Sequence, residues 1–167
     1  MISSIVGDFK NDIQKKGSSI KLLYEPNYHL VLEADKGRLT QVISNLLNNA
    51  IKFSKKSGGT ISIATTIIQQ MQSNNSDKKV LVSIKDDGTG IDPSIMPRLF
   101  TKFATKSEAG TGLGLFISKS IVEAHGGRIW AENNNSDVTE AGGATFYFIL
   151  PLLSTTTITK ITTHTII

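Results

Sequence analysis

DKGRLTQVISNLLNNAIKF, residues 35–53, is the stretch whose reading decides the fold. Apolar side chains fall at Leu39, Val42, Ile43, Leu46, Leu47, Ala50 and Ile51, the spacing of a helix buried along a broad face. Asp35 stands where an N-cap belongs, so the pattern predicts a helix over Lys36–Phe53. Three asparagines, Asn45, Asn48 and Asn49, interrupt it, although asparagine is a poor helix former. Asn45 and Asn49 are four apart and share a face, which Lys52 joins three residues on. An amide oxygen is a hard ligand suited to Mg²⁺, which keeps several waters and leans on phosphate oxygens for its other ligands. A nearby lysine neutralises phosphate charge. The alternative is a solvated amide face, but a local rule broken without gain in packing points to function.

Outward from this helix, the chain alternates helices and strands. Ile2, Ile5, Val6, Phe9 and Ile13 give Met1–Lys16 one apolar face, with Lys15-Lys16-Gly17 as its C-terminal end. Strands are expected at Ile20–Tyr24 and His29–Glu33. After Gly58-Gly59, β-branched alternation predicts a strand over Thr60–Ile68. The polar run Gln69–Lys79 reads as a hairpin loop, and Val80–Ile84 as the partner strand. Asp86–Thr111 has little periodicity and the length of a lid or binding loop. A helix over Leu113–His125 stops at Gly126-Gly127, and Arg128–Glu132 and Ala144–Leu150 read as the last strands. Ser154–Ile167 is threonine- and isoleucine-rich, and reads as a poorly ordered tail or a loose edge strand. Antiparallel hairpins beside one long crossover imply an α/β two-layer sandwich, a mixed β-sheet with helices on one face.

The chain has 167 residues, enough for one domain with its own core, and it has no cysteine for disulfides or thiolate zinc sites. It lacks a run of about 18 apolar residues, and Met1–Lys10 lacks the layout of a signal peptide. A cytoplasmic domain without membrane insertion is the expectation. The net charge is +4, but the lysine pairs at Lys15-Lys16, Lys55-Lys56 and Lys78-Lys79 lack the interleaved aromatics of a single-strand binder, so no nucleic-acid partner is expected.

Two glycine-rich segments carry further chemistry. Asp86-Asp87-Gly88-Thr89-Gly90 follows a strand directly, and its glycines allow a sharp turn and close approach to a flat ligand. A carboxylate there can accept from an exocyclic amine such as that of adenine, although Asp-Gly pairs also build plain β-turns. Gly110-Thr111-Gly112-Leu113-Gly114-Leu115 runs straight into a helix, where free N–H groups and the positive helix end suit phosphate. It has neither the dinucleotide Gly-x-Gly-x-x-Gly spacing nor a P-loop lysine.

Taken together and in this order, the segments resemble the catalytic ATP-binding domain of sensor histidine kinases, in the GHKL superfamily of gyrase, mismatch-repair and heat-shock chaperone ATPases. Residues 41–53 match the N box, Asp86–Ile91 the G1 box, Leu99–Phe103 the F box, Gly110–Leu115 the G2 box and Gly142–Phe146 the last glycine motif. Asp35, Arg38 and Leu39 fit the lead-in. The resemblance covers roughly residues 20–151 and implies the Bergerat-type ATP-binding fold, with ATP and Mg²⁺ as ligands. It implies that Asp86 binds the adenine amine, with Gly88, Gly90 and Ile91 shaping the pocket. Asn49 would hold Mg²⁺, Asn45 would support the phosphate side and Lys52 would contact phosphate. Phe100 and Phe103 would anchor a lid containing Lys102, Thr105 and Lys106. Gly110, Thr111, Gly112, Leu113 and Gly114 would wrap the triphosphate.

The resemblance also sets the branch. ATP-hydrolysing members place a water-activating glutamate one turn before the metal-binding asparagine; here that place is Asn45, and a neutral amide cannot act as a general base. The expected reaction is therefore transfer of the γ-phosphoryl group to a histidine on a separate dimerisation hairpin, with a response regulator downstream. His29, His125 and His164 are followed by Leu30, Gly126 and Thr165 rather than an acid, so none reads as a phosphoacceptor. His125 reads as a helix-capping residue. Residues 1–17 are expected as a helical lead-in or the end of such a hairpin, 18–152 as the catalytic domain and 153–167 as a tail. A monomeric domain without self-phosphorylation is expected, whose parent kinase could be membrane-anchored. The alternatives are a nucleotide-sensing module without transfer, or a serine kinase of the anti-sigma-factor type, against which the G2 and F boxes speak.

Overall fold

A computed structural model of the chain describes residues 1–15, 19–24, 31–55, 57–72, 75–105, 110–134, 142–152 and 165–166. The long helix, here α2, spans Lys36–Phe53 as its pattern requires. Asp35 caps it, its Oδ1 accepting from Arg38 N at 3.0 Å, and the bond holds the Asp35 carboxyl below the usual range. Leu39, Val42, Ile43, Leu46, Leu47 and Ala50 are buried beneath it.

Around α2 lie α1 (Ile2–Lys15) and α3 (Gly114–Ala124), with strands β1 (Lys21–Tyr24), β2 (Val31–Leu32), β3 (Thr60–Gln72), β4 (Asn75–Asp86), β5 (Arg128–Asn133), β6 (Ala144–Pro151) and β7 (Thr165–Ile166). The main sheet has the order β1-β3-β4-β6-β5. β1 runs parallel to β3 and the other neighbours are antiparallel, so the sheet is mixed as expected. Its inner face offers Leu22, Ile61, Ile63, Val80, Val82, Ile84, Ile129, Phe146, Phe148 and Leu150, all buried with the apolar side of α2. Ile2, Ile5, Val6 and Ile13 of α1 join the same core, so the lead-in helix has its apolar face covered by this domain.

The hairpin is where the sequence reading fails. The run 69–79, expected as a loop, instead extends the ladder through Gln69↔Lys78 and Gln72↔Asn75. Polar composition does not exclude a strand, because the pairing is made by backbone groups. Of the strand expected at His29–Glu33, Val31–Leu32 form β2, paired with Thr165–Ile166 from the tail, and Glu33 lies beyond its end. Residues 16–18, 25–30, 56, 106–109 and 153–164 lie outside the described residues, and with them the expected end of α1, Lys106, His29, His164 and most of the tail.

Candidate nucleotide-binding site

β4 delivers Asp86 to the floor of a cleft of about 730 Å³ between α2, α3 and the long 86–111 segment, a volume within the range of small-molecule sites. Asp86 is 3% exposed. Its Oδ1 accepts from Gly88 N at 2.9 Å and Ala144 N at 3.3 Å, and among the described residues Oδ2 has no donor. Burial pushes the carboxyl above its usual range, against the pull of those two amides, and the neighbouring Asp87 charge adds to the rise. A buried carboxylate with one uncommitted oxygen suits an exocyclic amine. Ile91, Ile95, Leu99 and Phe146 supply apolar walls around it.

Asp87 does different work. Its Oδ1 accepts from Ser54 Oγ at 2.8 Å and its Oδ2 from Thr60 N at 2.9 Å, tying the end of β4 to the end of α2 and the start of β3. Partial burial acts to raise its pKa, but these bonds, with the Lys55 backbone N–H and charge, outweigh it and hold the carboxyl below the usual range.

Asn45, Asn49 and Lys52 all line the cleft, as their shared face requires. Asn45 Nδ2 donates to Ser118 Oγ of α3 at 3.0 Å. Its oxygen lies so close to Gly114 that any Cβ there would collide with it. Asn49 makes no hydrogen bond among the described residues, leaving its amide for a ligand. No group of three or more His, Asp or Glu able to hold a metal exists among the described residues. A Mg²⁺ ion at Asn49 would therefore take most of its ligands from phosphate and water, which fits that ion.

The second glycine segment closes the other side. Gly110, Thr111, Gly112, Gly114 and Leu115 line the cleft, and no side chain caps α3 at Leu113. Among the described residues, no side chain satisfies its first-turn N–H groups, an arrangement suited to an anion. Gly112 has φ +66°, and a Cβ there would stand 2.6 Å from the Phe103 carbonyl carbon, so backbone packs on backbone. Phe103 N donates to Gly112 O at 3.0 Å, and Phe103 itself has φ +62°.

Not every expected residue lines the cleft. The Phe103 ring is 70% exposed, and its backbone packs on Gly112. Phe100 packs against the hydrophobic core and is not among the cleft-lining residues. Lys102 sits over the Phe116 ring, 5.1 Å from its centroid, outside the cleft lining. Leu113 and Gly88 also lie outside the lining, the latter because it backs onto the Phe53 carbonyl. Thr105 and Gly90 do line the cleft. His125 does more than cap α3: its Nδ1 bonds Ile121 O at 2.7 Å while its Nε2 accepts from Asp35 N at 3.1 Å, joining the end of α3 to the start of α2. Sequence reasoning gave no site role to Thr89 and Leu115, although both stand in its glycine segments, nor to Asp92 in the lining or Ser118 behind it. A serine or leucine inside a helix carries no signal of its own; only its neighbours across space give it a role.

Residues 34–154 match the histidine kinase-, DNA gyrase B- and HSP90-like ATPase family. The chain is 37% identical over 138 residues to the sensor protein FixL of Bradyrhizobium diazoefficiens, covering 83% of this chain and 25% of that one. It is 36% identical over 132 residues to the sensor histidine kinase WalK of Bacillus subtilis, covering 75% and 20%. The catalytic domain of histidine kinase ThkA superposes with a TM-score of 0.71 at 33% identity, covering 90% of this chain and 91% of that one. The chain belongs to this ATPase family and is an ATP-binding domain of the sensor histidine kinase kind. It spans a quarter or less of the sensor proteins named.

Proposed function

We propose that this domain binds Mg-ATP and passes the γ-phosphoryl group to a histidine on a separate dimerisation hairpin, which then serves a response regulator in two-component signalling. The observation that carries the reading is Asn45. It stands on the cleft wall where a water-activating base would act, it has no basic lone pair, and its amide is committed to Ser118. Water in this cleft is left without a proton acceptor at that place, which favours a stronger nucleophile brought from outside.

In the proposed transfer the imidazole nitrogen lone pair attacks the γ-phosphorus. The bond to the β–γ bridging oxygen breaks, ADP leaves with that electron pair, and the imidazole loses its N–H proton to solvent. The chain's own part is positioning. Asp86 holds the base, the start of α3 and the Gly110–Gly114 turn receive the phosphates, and Lys52 offsets their charge. Mg²⁺ held at Asn49 would supply further neutralisation of phosphate charge. His125 is no acceptor in this reading, because both its ring nitrogens are engaged. We expect a monomeric, cytoplasmic domain; no described helix is long and apolar enough to cross a membrane.

The test is γ-labelled Mg-ATP with the purified chain, alone and with the histidine-bearing hairpin of a parent kinase. Label should stay off this chain, phosphate release should stay near background, and the hairpin should be labelled. Brisk phosphate release by the chain alone would refute the reading and place it with the hydrolysing members.

A further inference from the structure

β5 ends beside the cleft, and its last residue, Asn133, and the next, Asn134, carry two amide side chains that no motif predicted. Asn133 Oδ1 accepts from Ile91 N at 2.7 Å, and its Nδ2 donates to Ile91 O at 2.9 Å. One side chain thus pairs with both backbone groups of a single residue, as a neighbouring strand would, at the point where the chain leaves Gly90.

Asn134 holds the opposite end of the same turn. Its Nδ2 donates to Asp86 O and to Gly142 O, each at 2.7 Å, while its Oδ1 accepts from the buried Thr145 hydroxyl. Its backbone N donates to Gly143 O at 3.0 Å. Two carbonyls on one side and a hydroxyl on the other leave a single orientation for this amide. Gly142 and Gly143 lead directly to Ala144, whose N–H donates to the Asp86 carboxylate. Asn134 therefore joins the backbone of Asp86 to the strand end that orients the Asp86 side chain. Neither asparagine lines the cleft.

We infer that Asn133 and Asn134 are positioning residues for base recognition, holding Asp86 and Ile91 in register so that the site takes adenine and refuses guanine. The inference rests on the nucleotide-binding reading above. Adenine presents an amine donor to the Asp86 oxygen. Guanine presents a carbonyl acceptor at the same position, which a well-placed carboxylate repels. The refusal depends on where the carboxylate is held, because a displaced one admits water between itself and the base.

The experiment is calorimetric titration of the full chain with Mg-ATP and with Mg-GTP, for wild type, Asn133→Ala, Asn134→Ala and Ile13→Ala. The last variant lowers stability at a buried residue of α1, which does not line the cleft. Each asparagine variant should weaken ATP binding about tenfold and lower the ATP-over-GTP preference by a similar factor. Ile13→Ala should leave that preference as in wild type. If Asn134→Ala fails to fold, Thr145→Val carries the same expectation, because it removes only the hydroxyl that holds the Asn134 oxygen. An unchanged ATP-over-GTP preference in the folded asparagine or Thr145 variants overturns the inference. Asp86→Asn separates the two claims: if wild type and Asp86→Asn bind ATP equally, the adenine reading fails first.

Discussion

Two adjacent carboxylates, Asp86 and Asp87, show how environment separates residues that composition treats alike. Asp86 is ionised at a cost, since burial favours its neutral form. Its folded-state pKa is raised, so the destabilisation is present in full above that value and fades as the pH falls towards the unfolded one. Asp86→Asn should therefore leave the domain as stable as wild type or more so at neutral pH, and the difference should shrink as acid is added. ATP binding should fall about 10- to 100-fold, because an amide whose oxygen faces Gly88 and Ala144 turns a donor towards the base amine. Wild-type affinity should also decline with acid earlier than an ordinary aspartate would dictate. Thermal melts and titrations across pH 4–8 (a range chosen about the ordinary values) check all three. Asp87 has the opposite sign. Its pKa is lowered, so its contribution is present above the unfolded value and is lost as pH falls through the folded one. Asp87→Ala should cost about 1–2 kcal/mol at neutral pH in urea denaturation, with the loss narrowing in acid.

At the scale of elements, α2 and α3 are joined at two levels. Asn45 meets Ser118 near the cleft, and His125 meets the Asp35 N–H at the far end. The site is thus divided between two helices whose relative placement depends on a few polar bonds and on close packing at Gly114. Gly114→Ala must push the Asn45 amide aside, breaking its bond to Ser118. We expect about a tenfold loss of ATP affinity, by analogy with the loss of one hydrogen bond plus misplacement. Ser118→Ala, which leaves the glycine intact, should lose less. Fluorescence titration with a labelled nucleotide distinguishes them, and equal affinity of Gly114→Ala and wild type would show that Asn45 is free to move.

For the whole molecule, one core under α2 supports both halves of the site. Leu46 and Leu47 are fully buried, and they share a helix with the cleft residues Asn45 and Asn49. Leu46→Ala should cost about 2–5 kcal/mol, read as a lower urea midpoint, and nucleotide affinity at temperatures where the variant stays folded should change far less. Stability and recognition are carried on opposite faces of one helix, so the two measurements should separate.

The sequence by itself determined α2 to the residue, because a 3.6-residue apolar repeat and an N-cap are local properties. It also carried the family resemblance, since amides at one helical face, an Asp-Gly-x-Gly turn and a glycine-led helix are each short-range patterns. The tertiary structure alone decided which oxygen of Asp86 is left for a ligand, that Asn45 is tied to Ser118, and that Asn133 and Asn134 grip the turn from another strand. Those bonds join residues 40 or more positions apart, and no periodicity records such a pairing. The 69–79 run was misread for the same reason: its strands pair through backbone hydrogen bonds to each other, and local composition does not record that pairing.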